Sequence, residues 1–430
     1  MTTTKNNEYK KLNFSNEQEQ SQACLNSAEH EKNQGRKVLN VPNLRFPEFQ
    51  GEWEKCKLGN IANITGGYAF KSDTLNSIGG KYQVVKMGNL YQNQLDLHRS
   101  PSYTDTLTRK AENVILRKDD IAITLTGTNN KKDFGYTYIF NDEKNLLLNQ
   151  RCGLIRAKGN PYFLSCLLKT HTFLNQFFES ATGGTGNQAN VSTKAMEMFS
   201  VNTPSLKEQE KIGQLMALLD ERIATQNKII EDLKKLKSAI IEKLYKGIQG
   251  TWYSYRQLFS IINERNKQLE YSNVLSASQE RGMVSREDLN LDIHFERSNI
   301  STYKIVKNGD YVIHLRSFQG GFAFSEKTGI CSPAYTVLRP NNLLVYGYLS
   351  NYFTSRDFVK SLIIVTYGIR DGRSINVDEW FDMKVVIPSK EQQTHIVNVI
   401  ESIENKIKNE ETYSNCLLNQ KQYLLRQMFI

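Results

Sequence analysis

With 430 residues, 39% hydrophobic and 23% charged, the chain carries enough apolar material to fold and is too long for one ordinary core, so two or three domains are expected. It has no apolar run near the roughly 20 residues of a membrane span and no apolar signal segment at its start, which argues against a helical membrane protein and predicts a cytoplasmic one. The formal net charge of +10 suits a polyanionic partner such as nucleic acid.

The six cysteines (Cys24, Cys56, Cys152, Cys166, Cys331 and Cys416) form no C-x-x-C pair, and the six histidines are dispersed. Reduced thiols and no metal site are expected. Residues 1–40 are rich in Asn, Gln, Glu, Lys and Ser and read as a disordered polar leader. From Val41 the run VPNLRFPEFQGEW sets Leu44, Phe46, Phe49 and Trp53 around two prolines, an extended arm that docks by its aromatics.

A first domain, residues 41–204, alternates short β-type runs with Gly, Asn and Asp clusters. The strand signals are Tyr82–Met87, Asp120–Leu125, Tyr136–Phe140 and Cys152–Ala157. Pro161–Phe178 reads as one helix, followed by the loop ATGGTGNQANVS and a strand ending at Pro204. Residues 205–246 then form a long amphipathic helix with Ile212, Met216, Leu219, Ile223, Ile229, Leu233, Ile240 and Leu244 on its apolar stripe.

A second domain, residues 247–388, repeats that order. Strand signals recur at Asp310–Leu315 and Ala334–Arg339, a helix at Tyr346–Leu362, and the loop TYGIRDGRSIN stands where the earlier glycine loop stood. Asp120 is matched by Asp310, and Arg156 by Arg339. Residues 389–430 form a second long helix with Ile396, Ile400, Ile403, Ile407, Tyr413, Leu417, Leu424 and Met428 on its stripe.

The two helical stretches align without a gap at a constant offset of 184, Pro204 on Pro388 and Gln209 on Gln393. Each opens with a capping-box spacing, Ser205 with Glu208 and Ser389 with Gln392. Two helices of about 60 Å cannot bury such stripes alone, so they are expected to pack on each other. The fold class is α/β (α+β): domain, helix, domain, helix, a two-fold internal repeat in one chain.

Two basic domains held apart by rigid helices suit two patches on one extended ligand, and duplex DNA, with groove faces recurring every ~34–36 Å, fits. Base reading needs side chains with paired donors and acceptors on exposed loops. Candidates are Lys86 and Asn89; the basic turn Asn129, Asn130, Lys131 and Lys132; and the glycine loop with Gly184, Thr185, Asn187, Gln188 and Asn190. In the second domain they are Arg316, Ser317 and Gln319, then Arg370, Arg373 and Asn376. For any one of these, a solvated loop position or a phosphate contact is the plainer role.

The sequence contains no Walker-type phosphate loop, no N-P-P-[FY] or D-P-P-[YFW] tetrapeptide and no H-E-x-x-H, and GTGNQA lies between a helix and a strand, the wrong order for a dinucleotide fingerprint. No catalytic residue is assigned. A self-sufficient restriction or methylation enzyme is thereby disfavoured, and a coiled-coil scaffold binding no DNA is the alternative.

The segments VPNLRFPEFQGEW, TGGYAFKS, NTPSLKEQEKI, GDYVIHLRSFQGG, GICSPAYTVLRP and IPSKEQQTHI, in that order within a duplicated frame, resemble the specificity (S) subunits of Type I restriction-modification systems. The resemblance implies two target-recognition domains, each reading half of a split double-stranded DNA target. It implies an antiparallel coiled coil that spaces them and docks two methyltransferase (modification) subunits, which restriction subunits join. S-adenosylmethionine would then belong to the methyltransferase and no cofactor to this chain. The run Glu391–Gln393 departs from the pattern by shifting the E-Q dipeptide one place.

Overall fold

The computed structural model describes residues 39–142, 145–183, 188–278, 281–289, 297–314, 321–367 and 374–430. The leader thus lies outside the described residues except for Leu39 and Asn40. The chain divides into two compact units, residues 1–219 with 420–430, and residues 220–419.

Within the first unit the centre is a four-stranded antiparallel sheet in the order Ala62–Gly66, Cys152–Ala157, Ile121–Thr124, Thr137–Ile139. Alternation of side chains along each strand sends residues to opposite faces. Ile121, Ile123 and Ile155 join one core, which includes Phe163, Phe173 and Phe177. Ala122, Cys152 and Leu154 join another core on the far face with Val85, Leu146 and Leu148. In that second layer Leu146–Leu148 runs parallel to Tyr82–Val85. Gly67 of the TGGYAFKS segment leaves this sheet against Asn149; a Cβ there would stand 2.0 Å from the Asn149 carbonyl oxygen, so only glycine fits.

The second unit uses the same scheme. Its sheet runs Phe259–Ile262, Thr336–Pro340, Tyr311–Ile313, Phe322–Phe324. Tyr311, Ile313 and Leu338 enter one core around Trp380 and Phe353, and Val312 and Val337 enter the other. A two-stranded piece closes each unit: Glu54–Lys57 pairs with Ser200–Thr203, and Thr251–Ser254 with Lys384–Ile387.

Each long domain helix expected from sequence is in fact two. Pro161–Leu167 ends before Thr170, whose Oγ1 accepts from Phe173 N at 3.3 Å and caps a fresh helix, His171–Glu179. In the second unit Tyr348–Tyr352 and Arg356–Ser361 are separated by Ser355, which caps Phe358 N at 3.3 Å. A hydroxyl that bonds its own backbone favours such starts over a helix interior. Two further short helices, Thr193–Glu197 and Val377–Asp382, follow directly on the loops ATGGTGNQANVS and TYGIRDGRSIN, where the sequence reading placed no helix before the closing strand.

The first long helix is Leu206–Tyr245, 40 residues, and the second Lys390–Gln427, 38 residues. Within the second unit they run antiparallel, since Arg222 meets Tyr413, Gln226 meets Glu410, and Lys237 meets Glu404. Within the first unit Ile212 and Met216 share a core with Met428 and Phe429. Of the stripe residues, Ile212, Met216, Leu219, Ile223, Ile396, Ile400, Ile407, Leu417 and Met428 are buried. Leu233, Ile240, Leu244, Ile403 and Leu424 are half-buried.

Ile229 and Tyr413 do not belong to the stripe: they are 41% and 38% exposed. The seam keeps a heptad rhythm instead, through Ile223, Gln226 and Ile230 on one helix and Ile407, Glu410, Ser414 and Leu417 on the other. It thus carries a polar layer in which Gln226 Nε2 donates to the Glu410 side chain and, at 3.2 Å, to its carbonyl, while Ser414 Oγ donates to Asn227 Oδ1 at 3.0 Å.

The helix starts differ from the capping-box expectation in one respect. Ser205 Oγ accepts from Glu208 N and Ser389 Oγ from Gln392 N, both at 3.4 Å. The Glu208 carboxylate, 1% exposed, turns instead to the arm, accepting from Arg45 Nε and Nη2 at 2.7 Å and from Trp53 Nε1 at 3.3 Å. The arm therefore docks by Trp53 and an ion pair, with Leu44 40% exposed. Gln393 does stand where Gln209 does: each donates from Nε2 to the carbonyl five residues back, Pro204 or Pro388, at 3.0 Å. The shifted E-Q dipeptide leaves the register intact.

Candidate nucleic-acid interface

At one edge of the first unit, three short strands pair in the order Thr182–Gly183, Gln188–Asn190, Thr126–Thr128. Ala189 is fully buried while Gln188 and Asn190 are exposed, so strand alternation turns both amides outward on one face. Gln188 lies opposite Thr128, and Asn190 opposite Thr126.

The chain leaves Thr128 directly into the basic turn. Asn129, Asn130, Lys131 and Lys132 are all exposed. Thr128 N donates to Asp133 Oδ1 at 2.6 Å and Lys132 N to Thr128 O at 2.9 Å, closing the turn. Lys132 takes a left-handed φ of 47° and sets its ammonium 5.1 Å from the centre of the Phe178 ring. Segments 60 residues apart in sequence thus bring six predicted residues onto one edge: Asn129, Asn130, Lys131, Lys132, Gln188 and Asn190. Amides supply paired donors and acceptors, and ammonium groups supply the charge that phosphates need.

Lys86 is half-buried beside this edge, next to Met87, whose sulfur accepts from Thr126 Oγ1 at 3.4 Å. Two predicted contacts are corrected. Asn89 is 2% exposed; its Nδ2 donates to Asp96 O at 2.9 Å and Arg99 O at 2.7 Å, and its Oδ1 accepts from Lys86 N at 2.9 Å, so it has nothing left to offer a base. Asn376 is a helix cap, its Oδ1 accepting from Asp378 N and Glu379 N and its Nδ2 donating to Glu379 Oε1. Gly184, Thr185, Asn187, Arg316, Ser317, Gln319, Arg370 and Arg373 lie outside the described residues.

Sequence reasoning passed over a two-residue hairpin, Leu90–Tyr91 paired with Gln94–Leu95. Its turn residues Gln92 and Asn93 have φ of 49° and 62°. The Tyr91 ring stands 5.4 Å from that of Tyr136, edge to face. Burial, then the neighbouring Tyr91 and Asp133, push the Tyr136 hydroxyl up and keep it neutral. The only sequence signal was the run Tyr91–Gln94 between two β-type stretches. Among the described residues, no three His, Cys, Asp or Glu side chains gather as a metal site.

The comparisons with known proteins point one way. Residues 50–235, which include this edge, match the family described as Type I restriction modification DNA specificity domain. That match covers less than half of the chain, and the curated relatives that the chain resembles are Type I specificity subunits. The chain is 28% identical over 193 residues to the Type I restriction enzyme EcoAI specificity subunit of Escherichia coli, a match covering 44% of this chain and 31% of that one. Less than a third of that relative is therefore spanned. A putative Type I restriction enzyme specificity subunit of Methanocaldococcus jannaschii, MjaX, is 21% identical over 407 residues, 86% of this chain and 91% of that one.

In fold, the chain is similar to the crystal structure of a Type I restriction-modification S subunit from M. genitalium, with a TM-score of 0.52 at 14% identity over 91% of this chain and 99% of that one. A chain solved in work on complex assembly and conformational transition of the type I R-M system gives a TM-score of 0.53, also at 14% identity, over 88% and 97%. These likenesses, both under 25% identical, are likenesses of fold. No helix among the described residues is long and apolar enough to cross a membrane.

Proposed function

We propose that this chain is the DNA-recognition subunit of a Type I restriction-modification complex, binding a split double-stranded target and directing partner subunits to methylate adenine or to cleave unmethylated DNA. The observation that carries the reading is the first unit's edge, where Gln188, Asn190 and the Asn129–Lys132 turn are displayed together within the segment that matches a DNA specificity domain. Residues 41–204 and 247–388 are the two target-recognition domains, and the polar edge sheet of the first would meet a groove.

In this reading the chain performs no bond chemistry. Two modification subunits dock on the paired helices and bring S-adenosylmethionine with them, restriction subunits join the larger assembly, and the complex works in the cytoplasm. The test is long-read methylation mapping of DNA from cells expressing the chain with a cognate modification subunit. A split adenine-methylated motif is expected. Unmodified DNA, together with binding by the purified chain that is indifferent to sequence, would sink the proposal in favour of a scaffold. Methyl transfer by the purified chain alone would sink the non-catalytic assignment.

A further inference from the structure

The hairpin Leu90–Leu95 stands beside the interface edge with no role yet assigned. Tyr91, Gln92, Asn93 and Gln94 are all exposed, Tyr91 by 51%. A two-residue hairpin with both central φ positive is the turn that Asn-Gly or Gly-Gly ordinarily fills, because a side chain there is strained. Here a glutamine occupies the first place. Glycine would make the turn more easily, so the turn itself does not call for the long amide, whose Nε2 reaches, among the described residues, only the Tyr91 hydroxyl at 3.5 Å.

The hairpin is also unusually well tied for a surface loop. Asn93 Oδ1 accepts from Thr137 N at 2.8 Å, anchoring the tip to the central sheet. At its base, buried Asn89 holds the carbonyls of Asp96 and Arg99, and Asp96 N donates to Asn89 O at 2.8 Å. On one flank Tyr91 packs on Tyr136, which follows the Asn129–Lys132 turn; near its base Met87 takes the Thr126 hydroxyl of the edge sheet. Asn89 is thus the staple of a reader and no reader itself.

We propose that this hairpin is a second reading element of the first unit, with Gln92 at its tip presenting its amide to a base edge in a groove of the duplex. The proposal rests on the DNA-recognition reading. A two-stranded ribbon fits a major groove, and a glutamine amide matches the paired acceptor and donor of adenine. Holding the tip rigid before binding removes ordering entropy that a flexible loop would lose on contact.

The experiment selects duplexes from a randomised library at fixed salt with the full chain, unaltered and as Gln92→Gly. Glycine suits the turn, so thermal stability should hold or rise. Discrimination at one base pair should fall about ten- to a hundredfold, with the other positions and non-specific binding retained. Gln92→Asn, which tolerates the turn but is one methylene shorter, should show the same loss at the same position. An unchanged consensus in both variants overturns the assignment while leaving DNA recognition standing, and so does a loss spread evenly over all sequences, which would mark a phosphate contact. If the unaltered chain selects no consensus, the recognition reading fails and the hairpin's role fails with it.

Discussion

Arg156 grips Asp120 with two prongs, Nε to Oδ1 at 2.8 Å and Nη2 to Oδ2 at 3.0 Å. In the second unit Arg339 grips Asp310 in the same way, both contacts at 2.8 Å. Each carboxylate also accepts a backbone N–H from three residues back, Arg117 or Lys307, and each follows a left-handed residue, Asp119 or Gly309. One device therefore starts the central buried strand of both units. Asp310→Ala, which removes the acceptor of two charge-assisted hydrogen bonds and strands a guanidinium, should destabilise its unit by about 2–3 kcal/mol. Amide hydrogen exchange in Tyr311–Ile313 reads the effect, and unchanged protection there would refute it.

The arm offers a second check. Arg45→Ala leaves Glu208 buried without its cationic partner, a change that costs about 3 kcal/mol in such sites. Limited proteolysis should then cut within residues 41–53 much faster than in the unaltered chain. Joint replacement of Arg45 and Glu208 by Met and Leu should restore most of the protection; continued rapid cleavage would mean that the aromatics never held the arm.

At the interface edge, phosphate and base contacts separate by their salt response. Lys131→Gln should weaken binding equally for all duplexes and lower the slope of log affinity against log salt by about 1. Asn190→Ala should leave that slope alone and relax the preference for one base pair. A changed slope in the asparagine variant would contradict the division of labour.

In the helix pair, Gln226→Leu combined with Glu410→Leu replaces the polar layer with apolar contacts. Thermal stability should hold or rise, because desolvating the layer offsets much of what its bonds contribute. Register should loosen at the same time, since one buried polar contact holds antiparallel helices in step. Disulfide trapping between engineered cysteine pairs would report it: pairs one heptad out of register should cross-link only in the double variant.

Alkaline stability follows from Cys152. Its thiol is fully buried, and burial pushes it from the ordinary 9.0 up to about 12. The folded form stays neutral after the unfolded thiol has ionised, so the stabilisation present below pH 9 declines between about pH 9 and 12, by roughly 1.4 kcal/mol per unit for this one group. Cys152→Ala should flatten that part of the pH curve. Chemical denaturation at pH 8, 9 and 10 measures it.

Sequence periodicity was sufficient for the long helices and the duplication, because stripes that persist for some eleven turns outweigh local preference. It was also sufficient for Cys152–Ala157, a strand met at its expected bounds. It failed where a single polar side chain decides. Thr170 and Ser355 break apolar patterns that read as continuous helix, and Glu208 satisfies a capping pattern while its carboxylate answers Arg45 from 163 residues away. Asn89 has the composition of a reader and the burial of a core residue. A pattern records which residue types are present, and only tertiary contact settles which hydrogen bonds their side chains make.

Only Ala189 of the strand Gln188–Asn190 is rooted in the interior. Its two neighbours can be exchanged with almost no thermodynamic consequence for the fold. The outward face of this strand can therefore be rewritten one side chain at a time while the framework beneath it stays folded.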